Sequence, residues 1–251
     1  MKRWASLVLS ALLISSLAAC SDGDASGTPP AESHENMTSQ TPSGTNRLDQ
    51  SEPVSSQESS GQEEAEGSHI LIAYFTWADN TVVEDPSSVD VDATTSASVL
   101  APGNAAKLAA WIQEAVGGDL HSIVVEEPYS SDYDECLDRA AEEKADNARP
   151  ALATHVENME DYGIVFLGFP NWWYTLPMPV LTFVEEYDWS GKTVVPFVTH
   201  GTGGLASTIR DLTAALPEDT TILDPIGVYR PEVDESQAAV QDWLAGLNLE
   251  F

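Results

Sequence analysis

Three short segments carry residues that could together bind one kind of ligand. The segment TWADNT (76–81) is rich in hydroxyls and backbone donors, and PNWWYT (170–175) is rich in aromatic rings. The segment THGTGG (199–204) contains glycines, which let a backbone approach a planar group closely. Together the three segments suit a ligand with a phosphate at one end and a flat ring at the other.

Each of these segments follows a predicted β-strand, at 69–75, 162–169 and 192–199. The pattern predicts two more strands and five helices: strands at 119–127 and 221–228, helices at 104–118, 131–148, 177–189, 203–216 and 234–247. Alternating strands and helices, with near-continuous apolar strands, predict a doubly wound α/β domain: a five-stranded parallel sheet with helices on both faces. In such a sheet, ligands bind outside the carboxyl ends of the strands, where the strand order reverses.

The domain resembles the flavodoxins, specifically the flavodoxin-like family of bacterial lipoproteins and small exported flavoproteins. The similar segments keep the family's order and spacing and span residues 69–251; they are ILIAYFTWADNT, DYDECLDRAAEEKADNARPALATHVENMEDY and VFLGFPNWWYTLPMPVLTFVEEYDWSGKTVVPFVTHGTGG. The resemblance implies noncovalently bound FMN. It also implies three sets of cofactor-binding residues: Thr76, Trp77, Ala78, Asp79, Asn80 and Thr81 around the phosphate; Pro170, Asn171, Trp172, Trp173 and Tyr174 on the isoalloxazine; and Thr199, His200, Gly201, Thr202, Gly203 and Gly204 on its pyrimidine side.

The two adjacent tryptophans have two possible roles. An aromatic side chain stacked on a flat ring contributes about 0.5–1.5 kcal/mol beyond its area burial. Alternatively, Trp172 and Trp173 pack beneath the following helix as core. We expect one ring on the flavin and one in the core, and the sequence does not distinguish them.

The sequence departs from the family pattern in two places. Ala78 and Asp79 replace the expected hydroxyl-rich residues, which removes a donor and adds a carboxylate beside the predicted phosphate. An insertion (82–102) precedes the first predicted helix. The insertion is either a surface excursion or, as the family's DATTSAS-like segment implies, a source of replacement hydroxyls from Thr94, Thr95, Ser96 and Ser98.

The first 68 residues are predicted to be a signal and a tether. Residues 1–20 show a basic start, an apolar run and LAAC ending at Cys20, the pattern of a lipoprotein signal peptide whose cysteine is lipidated. An ordinary secreted protein is the alternative. Residues 21–68 are acidic and rich in Ser, Gly and Pro, which predicts a disordered linker. We expect localisation at the cell membrane, lipid-anchored on the extracytoplasmic face.

The charge of the chain limits its partners. The formal net charge is −31, and residues 69–251 hold 31 acidic against 7 basic residues, a net of −24. Nucleic acid is not expected as a partner, because its binding begins with phosphate neutralisation. A phosphate in this domain must therefore be held by backbone N–H groups and a helix N-terminus. The acidic surroundings would lower the flavin's final reduction potential.

The cysteine and the histidines are also candidates for other chemistry. Cys136 has no intramolecular disulfide partner once Cys20 is lipidated, and it is expected to be a small helix residue. His200 could donate a proton, although such a histidine more often only shapes its loop. His69, His121 and His155 lack paired spacing, so no metal site is expected.

The sequence thus predicts a membrane-anchored FMN-binding electron-transfer protein that exchanges electrons with unknown redox partner proteins. The first alternative is an oxidoreductase of the same fold that reduces a quinone or a free flavin. The second is a cofactor-free binding lipoprotein. The sequence leaves open whether the chain is an enzyme.

Overall fold

The computed structural model describes residues 69–249. The predicted signal peptide (1–20), its Cys20 and the predicted linker (21–68) lie outside the described residues. Within residues 69–249, none of the helices combines the length and the apolar character that crossing a membrane requires.

The centre of the domain is a parallel sheet. Its strands are β1 His69–Tyr74, β2 Asp119–Ser122, β3 Tyr162–Pro170, β4 Thr193–His200, β5 Thr221–Ile222 and β6 Ile226–Tyr229. The spatial order is β2-β1-β3-β4-β5, and β6 also pairs with β4. This is the flavodoxin-like order of a doubly wound sheet, whose switch point lies between β1 and β3. The predicted fold class is confirmed.

The last predicted strand (221–228) forms in the expected place, but in two pieces. β5 pairs with Thr193 and Val194, and β6 pairs with the last four residues of β4. Pro225 stands between the two pieces. Because proline has no N–H to donate, it interrupts the ladder of hydrogen bonds there.

Helices cover both faces of the sheet. They are α1 Val91–Ala97, α2 Asn104–Val116, α3 Tyr133–Ala145, α4 Met178–Glu186, α5 Thr208–Ala215 and α6 Gln237–Gly246. The side chains of β1 alternate between two cores: Ile72 packs with α2 and α6, whereas Leu71 packs with α3, α4 and α5. This alternation follows from the two-residue period of a strand.

The insertion is partly ordered against the domain, which the surface-excursion alternative did not expect. Asp90 begins α1, since its carboxylate accepts a hydrogen bond from the backbone N–H of Ala93 at 2.7 Å. Ala93 and Val99 are fully buried in the core on the α3 face of the sheet. The insertion therefore brings the end of α1 close to the start of α2.

Candidate functional site

A cavity of about 310 Å³ opens at the carboxyl ends of the strands. All three predicted segments contribute to its wall. The predicted site residues that line it are Thr76, Trp77, Pro170, Asn171, Trp172, Trp173, Tyr174, Thr199, His200, Gly201, Thr202 and Gly203. Gly204 lines it as well. The volume lies at the lower end of the range of small-molecule sites, about 300–1,000 Å³.

The last four residues of the first segment do not line the cavity, although the resemblance implied that Ala78, Asp79, Asn80 and Thr81 surround the phosphate. Residues Trp77–Asn80 form a 3-10 turn. The buried amide of Asn80 donates to the carbonyl of Ile123 at 3.0 Å and accepts from the N–H of Val125 at 2.8 Å. The Asn80 side chain therefore joins the turn by hydrogen bonds to the segment that follows β2.

Asp79 was expected beside the phosphate, and in the structure it does not line the cavity. Its carboxylate accepts a hydrogen bond from the hydroxyl of Ser122, at the end of β2, at 2.6 Å. Burial raises the pKa of the Tyr74 phenol, and the nearby Asp79 carboxylate raises it further. The negative charge of Asp79 thus faces β2 rather than the cavity.

The first turn of α2 lies at one end of the cavity, where Asn104 and Ala105 line the wall. Gly103 is the N-cap, and it offers no side-chain hydrogen bond to the N–H groups of the first turn. A methyl group added at Gly103 would lie 1.7 Å from the hydroxyl oxygen of Thr76. Glycine therefore allows the helix start to approach the segment after β1.

One hydroxyl from the insertion reaches this end of the cavity. Ser98 lines the wall, and its oxygen accepts a hydrogen bond from the N–H of Asn104 at 3.1 Å. The hydroxyls of Thr94 and Thr95 instead donate to backbone carbonyls of α1 and its N-cap, on its exposed side. Of these three hydroxyls, only that of Ser98 lines the cavity, and the side chain of Ser96 lies outside the described part of the chain.

The aromatic segment is a tight hairpin. Trp172 and Thr175 exchange two backbone hydrogen bonds of 2.9 and 3.0 Å, and the two residues between them, Trp173 and Tyr174, have φ angles of 48° and 67°. Positive φ at both positions is the type I′ geometry, which normally selects Asn-Gly or similar pairs. Left-handed backbone costs a residue other than glycine about 1–2 kcal/mol. Such local strain is commonly found at ligand sites.

The two tryptophans have different environments. The Trp172 ring packs edge-on against Phe75, with centroids 5.3 Å apart, as part of the core's border. Trp173 is 39% exposed and lines the cavity, and its indole N–H donates to the carbonyl of Leu137 at 3.0 Å. The adjacent Tyr174 is 65% exposed. The surroundings thus assign the core role to Trp172.

The hairpin and the glycine-rich segment are joined directly. The side-chain amide of Asn171 donates to the carbonyl of Gly204 at 2.8 Å, and its backbone N–H donates to the carbonyl of Thr199 at 2.7 Å. A methyl group added at Gly203 would lie 3.1 Å from the ring of Tyr174. The two segments therefore form one continuous wall.

His200 is oriented by its own loop. Its Nδ1 lies 2.7 Å from the carbonyl oxygen of Gly201. Because a carbonyl can only accept, this hydrogen bond requires the proton on Nδ1. The Nε2 atom of a neutral His200 is then an acceptor, so the ring shapes the loop and donates its Nδ1 proton within it.

Sequence reasoning missed one wall of the cavity. Tyr133, Cys136, Leu137 and Ala140 line it from α3, and Arg230 lines it from the chain after β6. The helical spacing of the four α3 residues places them on one face, but nothing in the sequence relates that face to the strand ends. Burial raises the pKa of the Cys136 thiol to about 12, so the group is neutral and not a nucleophile at neutral pH.

Comparisons with known proteins show which family this chain belongs to. The sequence model of a family described as flavodoxin matches residues 92–244. The crystal structure of a candidate flavoprotein from Bacteroides eggerthii is 28% identical, with a TM-score of 0.55, covering 73% of this chain and 100% of its own. A second crystal structure, of a candidate flavoprotein from Bacteroides uniformis, is 25% identical with a TM-score of 0.53, and the match covers 71% of this chain and 99% of that protein. A search of curated proteins found no match. The chain belongs to the flavodoxin family.

Proposed function

We propose that this chain is an FMN-binding electron-transfer protein tethered to the extracytoplasmic face of the cell membrane. The observation that carries the proposal is the convergence of the three predicted segments on one cavity at the switch point of the sheet. Family membership and the likeness to candidate flavoproteins support a flavin as the ligand.

The two ends of the cavity fit the two ends of FMN. At one end stand the hydroxyl-bearing residues Thr76 and Ser98 and the first turn of α2, whose N-cap Gly103 has no side chain to cap it. A helix N-terminus favours an anion because its N–H groups point outward and its dipole is positive there. These groups would hold the phosphate without a lysine or arginine in the first segment. Because the Asp79 carboxylate faces β2, its negative charge would not oppose the phosphate.

At the other end, aromatic and glycine residues would hold the ring. Trp173 and Tyr174 offer exposed rings on a strained hairpin, and Thr199–Gly204 offers backbone in the wall that continues from it. Bound FMN would supply one- and two-electron transfer, while the protein positions it and sets its potential. The acidic domain would disfavour negative charge on the cofactor.

The proposed tether is supported by sequence alone, through the basic start, apolar run and LAAC motif that end at Cys20. Its test is to express the full chain and a Cys20→Ser variant in a bacterial host. The wild type is expected in the membrane fraction with a lipid-sized mass increase on its N-terminal peptide, and the variant is expected to lose both. Equal fractionation of the two proteins would contradict the tether.

The test of cofactor binding uses the full chain purified in mild detergent. We expect a yellow protein with a flavin absorption spectrum. Titration of the flavin-stripped protein should show FMN binding at least about tenfold tighter than riboflavin, which lacks the phosphate bound by the helix N-terminus. A colourless protein that does not bind added FMN would favour the cofactor-free alternative.

A second candidate is an oxidoreductase that reduces a quinone or a free flavin. The α3 wall favours it, because Leu137 and Ala140 add apolar surface beyond the segments predicted for the flavin. Steady-state turnover with NAD(P)H and a set of quinones distinguishes the candidates. Turnover that saturates with the quinone would favour an enzyme, and reduced protein that passes electrons only to protein acceptors would favour a carrier.

A further inference from the structure

Arg230 places a positive charge in the wall of the cavity. The described residues 69–249 contain seven lysines and arginines, and Arg230 is the only one of them that lines this cavity. In a partly buried site, water and salt screen charges less, so a charge there interacts more strongly with a nearby ligand. One cation at the wall can therefore matter more to a ligand than many carboxylates on the outer surface.

The backbone at Arg230 is fixed by its neighbours. β6 pairs with β4 so that Tyr229 lies opposite His200. The 3-10 helix Arg230–Glu235 follows at once, and its Val233 is fully buried in the core shared with α2 and α6. Lys107 of α2 forms an ion pair of 2.5 Å with Asp234 in this turn. The residue therefore projects from a segment that is anchored by strand pairing before it and by a buried side chain after it.

The guanidinium lies against the glycine-rich segment after β4. A methyl group added at Gly201 would lie 3.4 Å from the central carbon of the Arg230 guanidinium. The absence of a side chain at Gly201 thus lets the cation lie close to the backbone of this segment. In the proposed function, this segment lines the pyrimidine side of the flavin.

We propose that Arg230 raises the reduction potential of the bound flavin by favouring its reduced state. The inference rests on the proposed FMN binding. FMN takes up two electrons and one proton to give the reduced anion, whose added charge resides on the pyrimidine side of the ring. A cation beside that side stabilises the reduced state more than the neutral oxidised ring, opposing the effect of the acidic domain.

The test compares the full chain with Arg230→Gln, Arg230→Lys and Arg149→Gln, each loaded with FMN. Arg149→Gln is the charge-matched control, because Arg149 pairs with Glu185 away from the cavity. Two quantities are measured: the dissociation constant of oxidised FMN, and the two-electron potential by equilibration with reference dyes. Circular dichroism checks that every variant is folded.

We expect Arg230→Gln to weaken binding of the reduced flavin about tenfold relative to the oxidised one, which lowers the two-electron potential by about 30 mV. Arg230→Lys retains most of the wild-type potential, and Arg149→Gln changes it little. An unchanged potential in Arg230→Gln overturns the inference and leaves the proposed function intact. An equal loss of affinity for both redox states also overturns the inference, because Arg230 would then be a binding residue only. Failure of the wild type to bind FMN overturns both.

Discussion

The rings of Trp172 and Tyr129 pack edge to face, with centroids 5.2 Å apart and planes at 87°. Tyr129 is itself held from two sides: its hydroxyl donates to the Glu143 carboxylate at 2.6 Å, and the Arg139 guanidinium lies 4.0 Å from its ring centroid. Trp172 is thus braced by a chain of contacts that leads into α3. Its neighbour Trp173 is more exposed at the cavity, where its indole N–H donates to the carbonyl of Leu137 in α3.

The two tryptophans should therefore respond differently to replacement by alanine. Trp172→Ala should lower the free energy of unfolding by about 3 kcal/mol, because it removes a ring packed against the core. Trp173→Ala should change stability by less than about 1 kcal/mol, yet weaken FMN binding about tenfold through loss of a stacked ring. Urea unfolding and flavin fluorescence titration measure the two effects.

Each tryptophan variant is the control for the other. If Trp173→Ala destabilised the protein as much as Trp172→Ala, the assignment of core and cavity roles would be wrong. If Trp173→Ala bound FMN as tightly as the wild type, its ring would not belong to the cofactor site.

Replacement of Tyr174 should reveal the strain in the hairpin. Tyr174→Gly should be more stable than Tyr174→Ala by about 1 kcal/mol, since glycine adopts positive φ without the penalty of a β-carbon. Both variants lose the same ring, so their difference isolates the backbone. The comparison is made by urea unfolding without flavin. Equal stabilities would mean that the left-handed turn carries no such cost.

The close approach of Gly103 to Thr76 makes a further prediction. Gly103→Ala should weaken FMN binding by about tenfold or more, because the β-branched Thr76 has few alternative rotamers and must shift at the predicted phosphate end. Riboflavin binding should suffer less, since riboflavin has no phosphate. Isothermal titration with both flavins measures the difference.

Gly246→Ala is the matched control for this substitution, because a methyl group added at Gly246 meets no atom within 4 Å. It should leave the affinity for both flavins unchanged. A Gly103→Ala protein that binds FMN normally would show that the start of α2 does not hold the phosphate.

The sequence predicts most of the scaffold because the strands of this fold are local apolar runs. The runs at 69–75, 162–169 and 192–199 each become a strand with little change at the ends. The strand predicted at 119–127 ends at Ser122 instead, since the N–H of Val125 is bound by the distant Asn80 side chain. Such a tertiary contact has no local signature.

In the site, too, local features could be predicted from the sequence and tertiary contacts could not. Residues directly after strands, such as Thr76 and Pro170–Tyr174, could be placed at the cavity from topology alone. The 3-10 turn Trp77–Asn80 could not be predicted from topology, and it directs the Asp79 carboxylate toward Ser122. Arg230 comes from the far end of the chain and enters the cavity only because β6 pairs beside β4. Long-range pairing, rather than residue type, decides which cation lines the cavity.

The carboxylate of Asp211 makes the stability of the hairpin base depend on pH. It accepts hydrogen bonds from Thr175 at 2.7 Å and Ser207 at 2.6 Å. Partial burial tends to raise the pKa of Asp211, but the hydrogen bonds from Ser207 and Thr175 and the nearby Arg210 lower it below the ordinary 3.8. A carboxylate whose pKa is lower in the folded state stabilises the protein above its unfolded pKa. That stabilisation is lost as pH falls through the folded value.

Asp211→Asn should therefore be less stable than the wild type by about 1 kcal/mol near neutral pH, the scale of a hydrogen bond to a partly exposed charged group. The difference should stay constant down to about pH 5 and shrink as pH falls below 3.8, because the wild-type carboxyl then takes up its proton. Urea unfolding of both proteins at several pH values measures it. A difference that persists unchanged at pH values well below 3.8 would contradict the assignment, because the hydrogen bonds would then not depend on the charge of Asp211.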